Sequence, residues 1–241
     1  MANTKKLIKN VRRVLLYGPS GTGKTTLAST FPNPVFVDLD DGMLSLEGQD
    51  ITYYTLNSHP SSDPDLIKMI GEKLAISDDA YAKSVEVIEQ LCNTFTEKDT
   101  LVIDSITFLN DYALATVLAS ENQKKPRIQD WGAAQKLIES IVSNINFADC
   151  NIVVIAHEQF VKDDESGFIS WLPMTIGKLA TKLPIYFDEV YHCYAERGKG
   201  VHKHEMIYGI ETSPSRHTTA KSRSQLKGNI EFPTYQKLYK K

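Results

Sequence analysis

The chain has 241 residues and a mass of 27.0 kDa, enough for one large domain with a full core and short for two. Hydrophobic residues make up 41% and charged residues 24%, which excludes wholesale disorder, collagen-like repeats and coiled coil. The net charge of −3 is unevenly spread: residues 1–13 hold five Lys/Arg and no acid, residues 197–241 hold ten against three Asp/Glu, and residues 14–196 carry twelve basic and twenty-seven acidic side chains. An acidic body with two basic ends fits an anionic partner such as nucleic acid, complementary faces that stack subunits, or solvated charge with no partner. No apolar run approaches the roughly 20 residues that span a bilayer, and no apolar stretch follows the basic residues Met1–Arg13, so neither a membrane partner nor a secretory signal is expected. Cys92, Cys150 and Cys193 form no CxxC pair and read as buried thiols of a reducing, cytoplasmic compartment.

In chain order, Val11–Tyr17 reads as a short β-rich strand that runs directly into Gly18-Pro19-Ser20-Gly21-Thr22-Gly23-Lys24-Thr25. Every fixed position of G-x-x-x-x-G-K-[ST] is filled, with Thr26 continuing into a helix. Glycines at 18, 21 and 23 let the backbone wrap phosphate oxygens with its N–H groups inward. Lys24 reaches the β- and γ-phosphates, and the Thr25 hydroxyl ligates Mg²⁺. The segment Gly18–Thr26 is therefore a nucleotide-phosphate cradle. Pro34–Leu39 reads as a second strand closing on Asp38, Asp40 and Asp41, and Ile51–Thr55 as an edge strand. Asp63 and Pro64 open a helix to Ala75, and Tyr81–Phe95 is amphipathic. Thr100–Asp104 is an apolar strand whose terminal carboxylate suits the Mg²⁺ shell, commonly through water.

Ile106–Ala119 has helical periodicity, and Trp131–Phe147 forms another helix with Asp130 as N-cap. Asn151–Ala156 is a fourth buried strand, ending at His157. Residues 158–183 read as less regular, with a turn at Asp163–Gly167 and a short helix at Ile176–Leu183. Strands at Phe187–Tyr194 and Val201–Ile210 follow, joined by a turn over Arg197–Gly200. The tail from Ser213 starts in turn chemistry and ends basic. The pattern is α/β: a mostly parallel sheet with flanking helices and antiparallel strands toward the C-terminus. The expected organisation is a basic arm at 1–10, a core at 11–225 and a basic tail at 226–241.

Two features depart from a generic P-loop protein. The Asp104 strand continues into Ser105 rather than a second acid, unlike the AAA-type pattern of paired carboxylates. A general base must then come from the neighbouring strand end, Asp40 or Asp41. Late in the chain, Lys221-Ser222-Arg223 forms a K-x-R pair.

Together, strand, P-loop and helix, the acid at the next strand end, the Asp104-Ser105 strand, the polar residue closing the following strand and the late K-x-R pair resemble the RecA-like ATPase core over residues 11–225. The compact length, the Asp130-Trp131-Gly132 helix opening and Thr219-Ala220-Lys221-Ser222-Arg223 are similar to the short RecA-like recombination and single-strand annealing proteins of bacteriophages. Similar cores occur in archaeal recombinase paralogues and in clock-type and helicase-type ATPases. The resemblance implies ATP and Mg²⁺ as ligands, and Asp40 as the base that orients the attacking water, where the family usually has the longer Glu. It implies a sensor role for His157, with a strand-end histidine satisfied by its neighbours as the alternative. Lys221 and Arg223 would act in trans on the γ-phosphate of another subunit, with an ordinary basic loop as the alternative. The implied partners are single-stranded DNA, further copies of the chain in a filament or ring with nucleotide at the subunit interface, and a single-strand binding protein, all in a host cytoplasm.

Within that resemblance, DNA contact falls to Glu158–Thr175. Phe160, Phe168 and Trp171 are available for base stacking there, with Lys162, Lys178 and Lys182 for phosphates. Asp163, Asp164 and Glu165 oppose a phosphate backbone, and aromatic packing is the competing reading. A P-loop ATPase that switches a protein partner without touching DNA is the alternative function. A small-molecule kinase is disfavoured because no arginine-rich acceptor lid is present. His202-x-His204 lacks a second ligand pair at zinc spacing, Ser105, Ser213 and Ser215 have no nucleophile-elbow context, and Tyr17, Tyr53 and Tyr54 read as strand packing.

Overall fold

Apolar runs of strand length ask for burial on both faces. The computed structural model, which describes residues 11–55, 80–162, 167–198 and 203–240, gives them that burial. Strands β1 (Arg13–Tyr17), β4 (Thr100–Asp104) and β5 (Asn151–Ala156) are buried at every residue. With β2 (Pro34–Asp38), β3 (Thr52–Thr55) and β8 (Glu189–Arg197) they form a parallel array. The order across the sheet is β3-β2-β4-β5-β1-β8, continued by antiparallel β9 (Met206–Glu211) and β11 (Asn229–Glu231). The outer edge of β8 is shared: β10 (Lys221–Ser222) pairs with its first residues, and β9 with His192–Arg197.

Alternation along each strand divides the core. Leu15, Val37, Leu101, Ile103, Ile152 and Val154 face α2 (Ala80–Thr94), α3 (Ile106–Ser120) and α4 (Ile128–Ile145). Val14, Leu16, Phe36, Val102 and Val153 pack on the other side with Leu27 and Ala28 of α1 (Lys24–Ser29). Each such fully buried aliphatic side chain contributes roughly 1.5–3 kcal/mol. Arg13 is nearly inaccessible, and its guanidinium donates to the carbonyls of Asn146, Ala148 and Cys150. It thereby satisfies carbonyls at and just beyond the C-terminal end of α4.

Several elements differ from their sequence expectation. Helix α4 begins three residues before Trp131, because Asp130 is not the cap but the third helical residue. Its carboxylate accepts from the Arg127 backbone N–H at 2.7 Å and from the Arg127 guanidinium, the N3-to-N-cap half of a capping box. Residues 158–173 are largely regular: β6 (Glu158–Lys162) and β7 (Ile169–Pro173) form an antiparallel hairpin with Phe160 opposite Trp171. Aromatic and β-branched residues flanking a polar turn favour that pairing. The expected helix Ile176–Leu183 is the single turn α5 (Leu179–Lys182), which tightens into a 3₁₀ turn over Leu183–Tyr186. β8 starts later than Phe187 and runs on to Arg197, and β9 starts at Met206, after a turn at residues 203–205; Val201 lies outside the described residues. The tail is folded, ending in α6 (Tyr235–Tyr239), whose Tyr235 and Tyr239 rings pack on Phe31. The basic arm at 1–10, the helix at Asp63–Ala75, Asp163–Glu165 and His202 lie outside the described residues.

Candidate nucleotide site

Parallel strands present their carboxyl ends along one edge, where an α/β sheet holds its ligands. Tyr17 lies level with Ala156, and Asp104 with Ile155 and Asp38. Because β5 lies between β1 and β4, His157 stands between the segment that follows Tyr17 and the carboxylate of Asp104. The loop after β1 turns tightly over β8: a Cβ on Gly18 would sit 2.3 Å from the Cys193 carbonyl oxygen, so no other residue fits. The Thr22 hydroxyl donates to the Pro19 carbonyl at 2.9 Å. Pro19, Ser20 and Gly21 are exposed along the rim, while Lys24 is buried. The Lys24 ammonium donates to the carbonyls of Gly18 (3.0 Å) and Pro19 (2.7 Å). Burial pushes its pKa down, opposed by nearby Cys193, Asp104, Glu158 and Asp40. A buried cation held only by neutral carbonyls is suited to an incoming polyanion.

The Thr25 hydroxyl donates to Asp104 Oδ2 at 2.7 Å, so the two expected Mg²⁺ ligands meet directly. Burial first, and the neighbouring Asp40 second, push the Asp104 carboxyl up to about 7; the Thr25 hydrogen bond and Lys24 pull the other way. Asp38 is likewise raised by burial to about 6, although it accepts from the Gly42 N–H at 3.1 Å. A hydroxyl and a carboxylate in contact, ringed by further acids, form an all-oxygen donor set that fits Mg²⁺. The protein itself supplies few ligands, as is usual where a nucleotide brings the remainder.

Asp40 and Asp41 part company. The Leu39 N–H donates to the Asp104 carbonyl and the Tyr112 hydroxyl to the Leu39 carbonyl, fixing the chain that carries Asp40. Asp40 lines the P-loop cavity, its Oδ2 3.5 Å from His157 Nε2 and its buried Oδ1 without a hydrogen-bond partner. Asp41 turns instead toward Thr55, whose hydroxyl donates to it at 3.3 Å. A Cβ at Gly42 would lie 2.8 Å from Asp40 Oδ1, so a larger residue there would displace that carboxylate. The cavity has a volume of about 410 Å³ and is lined by Ser20–Thr26, Asp40, Gly42, Ser45, Asp104, His157 and Tyr208, which is ligand-sized.

Lys221 and Arg223 do not join this group within one chain. Lys221 pairs with Val190, level with Leu15 and two residues below Tyr17, and the Arg223 N–H bonds the Asp188 carbonyl, level with Arg13, four residues and roughly 13 Å of strand below Tyr17. The Arg223 guanidinium is ion-paired to Asp188 at 2.6 Å. Of the aromatic trio, Phe160 is exposed and edge-on to Trp171, whereas Phe168 stacks on His217 beneath the Arg216 guanidinium. Lys182 is drawn off to Glu139 at 3.2 Å.

Two features were not singled out in the sequence. Tyr208 reaches the cavity from the far sheet edge; its only signal is a strand tyrosine preceding Gly209. Glu158, next to His157, bonds His192 Nε2 at 2.9 Å, and Glu211 takes Nδ1 at 3.2 Å, joining the hairpin to β8 and β9. No spacing in the sequence marks that triad. Among the described residues no His, Cys, Asp or Glu group is arranged to hold a metal by itself, and no helix is long and apolar enough to cross a membrane.

Residues 10–224 match a family model described as an AAA domain. No curated protein matches the sequence. Among solved structures, the flagellar accessory protein FlaH from Methanocaldococcus jannaschii aligns at 12% identity and TM-score 0.43, covering 92% of this chain and 86% of its own. A KaiC-like protein from the hyperthermophilic archaeon Pyrococcus horikoshii OT3 aligns at 14% identity and TM-score 0.46, covering 92% and 90%. The Asp104-Ser105 ending lacks the second acid expected of AAA-type sequences, yet the match extends across both strand ends and the P-loop. The chain belongs to this AAA-domain family, with the sheet and P-loop of a RecA-like P-loop ATPase.

Proposed function

We propose that the protein is an ATP- and Mg²⁺-dependent ATPase that acts on single-stranded DNA in recombination or strand annealing, as a homo-oligomer with nucleotide at the subunit interface. The observation that carries the ATPase reading is the convergence on one cavity of Lys24, the Thr25–Asp104 contact and the Asp40–His157 pair. Lys24 exchanges two carbonyl partners for β- and γ-phosphate oxygens. Thr25 and Asp104 would hold Mg²⁺, which when bound would neutralise charge on the phosphates. Asp40, which lines the cavity, orients the attacking water and accepts its proton. His157 holds Asp40 through Oδ2, and its chain neighbour Glu158 opens the β6–β7 hairpin. Occupancy of the γ-phosphate position is thereby passed to Phe160 and Trp171, the surface proposed to stack on bases. Lys221 and Arg223 complete the site of a neighbouring copy.

Steady-state ATP hydrolysis with and without single-stranded DNA tests this reading. Turnover is expected to rise with DNA at low ionic strength, and the stimulation to fall steeply with added salt. Hydrolysis that is indifferent to DNA, with no salt-sensitive binding, removes the DNA assignment and leaves an ATPase that switches a protein partner.

A further inference from the structure

Next to the phosphate cavity lies a second space of about 400 Å³. Its floor is one face of the α1 segment, Thr22, Gly23, Thr26, Leu27 and Thr30, and Tyr208 is a wall common to both spaces. The opposite wall is Phe232–Thr234, in the C-terminal segment beyond the family match, which ends at residue 224. That segment is strapped in place at both ends: the Phe232 N–H donates to the Tyr208 carbonyl at 2.7 Å, and the Tyr235 N–H to the Thr30 hydroxyl at 2.8 Å.

Three observations point to a flat aromatic ligand. Phe232 and Tyr208 are respectively 52% and 39% exposed, large rings left open beside an otherwise buried core. Phe232 holds a φ of 44°, a left-handed conformation costly for a bulky residue and retained where its side chain is needed in place. No acidic or basic side chain lines the space; its polar side chains are threonines, apart from the Tyr208 phenol.

We propose that this slot takes the nucleobase, with Tyr208 and Phe232 as its aromatic walls, and that it selects purines over pyrimidines by ring area without distinguishing adenine from guanine by charge. The proposal rests on the nucleotide reading of the P-loop. A base entering along α1 leaves its phosphates at Gly21–Thr25, since Thr22, Gly23 and Thr26 border both spaces. Stacking rewards the larger ring system, and with no carboxylate present nothing reads the guanine N1 and N2 donors.

Calorimetric titration with ATP, GTP, CTP and inorganic tripolyphosphate, each with Mg²⁺, tests it on the wild type, Lys24→Ala, Tyr208→Ala and Phe232→Gly. Glycine is chosen at 232 because it relieves the positive φ, so the melting temperature should hold or rise while the ring is lost. Wild type should bind ATP and GTP within a few-fold of each other and CTP about tenfold more weakly. Phe232→Gly should weaken ATP about tenfold and leave tripolyphosphate unchanged, and Tyr208→Ala, which borders both spaces, should weaken ATP about tenfold and more than tripolyphosphate. Equal losses for ATP and tripolyphosphate, unchanged ATP affinity, or CTP binding as tightly as ATP would overturn the slot. Lys24→Ala should lose both ligands. Wild type that binds neither overturns the nucleotide reading and the slot with it, whereas tripolyphosphate binding no weaker than ATP removes the slot alone.

Discussion

Asp104 combines two demands that conflict. It must end a strand buried on both faces, and it must carry charge. Burial and the nearby Asp40 and Asp38 raise its carboxyl to about 7, so between roughly pH 4 and 7 the folded chain holds a proton that the unfolded chain releases. With the folded state binding more protons, stability falls as pH rises through that window. Urea unfolding with chelator present should show this decline, and Asp104→Asn should remove part of it, stabilising the protein at about pH 8 by on the order of 2 kcal/mol. The same variant should lose the stabilisation that Mg²⁺ and ATP give the wild type. Gly42 supports a second prediction at this scale. Gly42→Ala forces a Cβ toward Asp40 Oδ1 and should lower kcat at least about tenfold with KM for ATP nearly unchanged, read by steady-state kinetics. A parallel rise in KM would mean that Asp40 serves binding instead.

Among the elements, those with a local signal were legible. β1, β4 and β5 are uninterrupted apolar runs, and the P-loop spacing announces its own strand and helix. Boundaries set by side chains reaching back along the chain were less so. Asp130 has the chemistry of an N-cap but works from inside helix α4, because Arg127 offers both a backbone N–H and a guanidinium. Asp130→Ala should cost about 1–2 kcal/mol in urea unfolding while ATP affinity is unchanged. The β6–β7 hairpin was hidden because its turn is acidic and its strands are short. Its tie to the sheet runs through Glu158, His192 and Glu211, residues distant in sequence. Glu158→Gln keeps the hairpin's shape and weakens that tie. DNA stimulation of hydrolysis should then fall several-fold while the basal rate stays within about twofold; equal changes in both rates would place Glu158 in the chemistry rather than the coupling.

For the whole molecule, the charge asymmetry now has structural detail. Two residues of the basic N-terminal stretch are engaged in packing: Arg13 satisfies carbonyls at the end of α4, and Arg12 donates to Ser224 while lying 4.8 Å over the Tyr239 ring. The Lys221/Arg223 pair lies along the start of β8, level with Leu15 and Arg13 of β1, and does not line the phosphate cavity of its own chain. The proposed action on a γ-phosphate would fall on the nucleotide of a second copy. Mixing wild-type protein with Lys221→Ala/Arg223→Ala subunits should depress activity below simple dilution, as mixed assemblies are poisoned. Activity proportional to the wild-type fraction would assign Arg223 to its ion pair with Asp188 alone.

The sequence by itself determined that a phosphate cradle exists, which strands carry Asp40, Asp104 and His157, and that the sheet is mostly parallel. Each of those follows from contiguous residues whose spacing the chemistry dictates. Only the tertiary structure decided that Asp40 and not Asp41 enters the cavity, that Lys221 and Arg223 lie away from it, and that Tyr208 and Phe232 flank a slot beside the P-loop. Those outcomes depend on strand order, register and the path of the C-terminal segment. They are set by burial summed over the whole sheet, and no local pattern of residues encodes them.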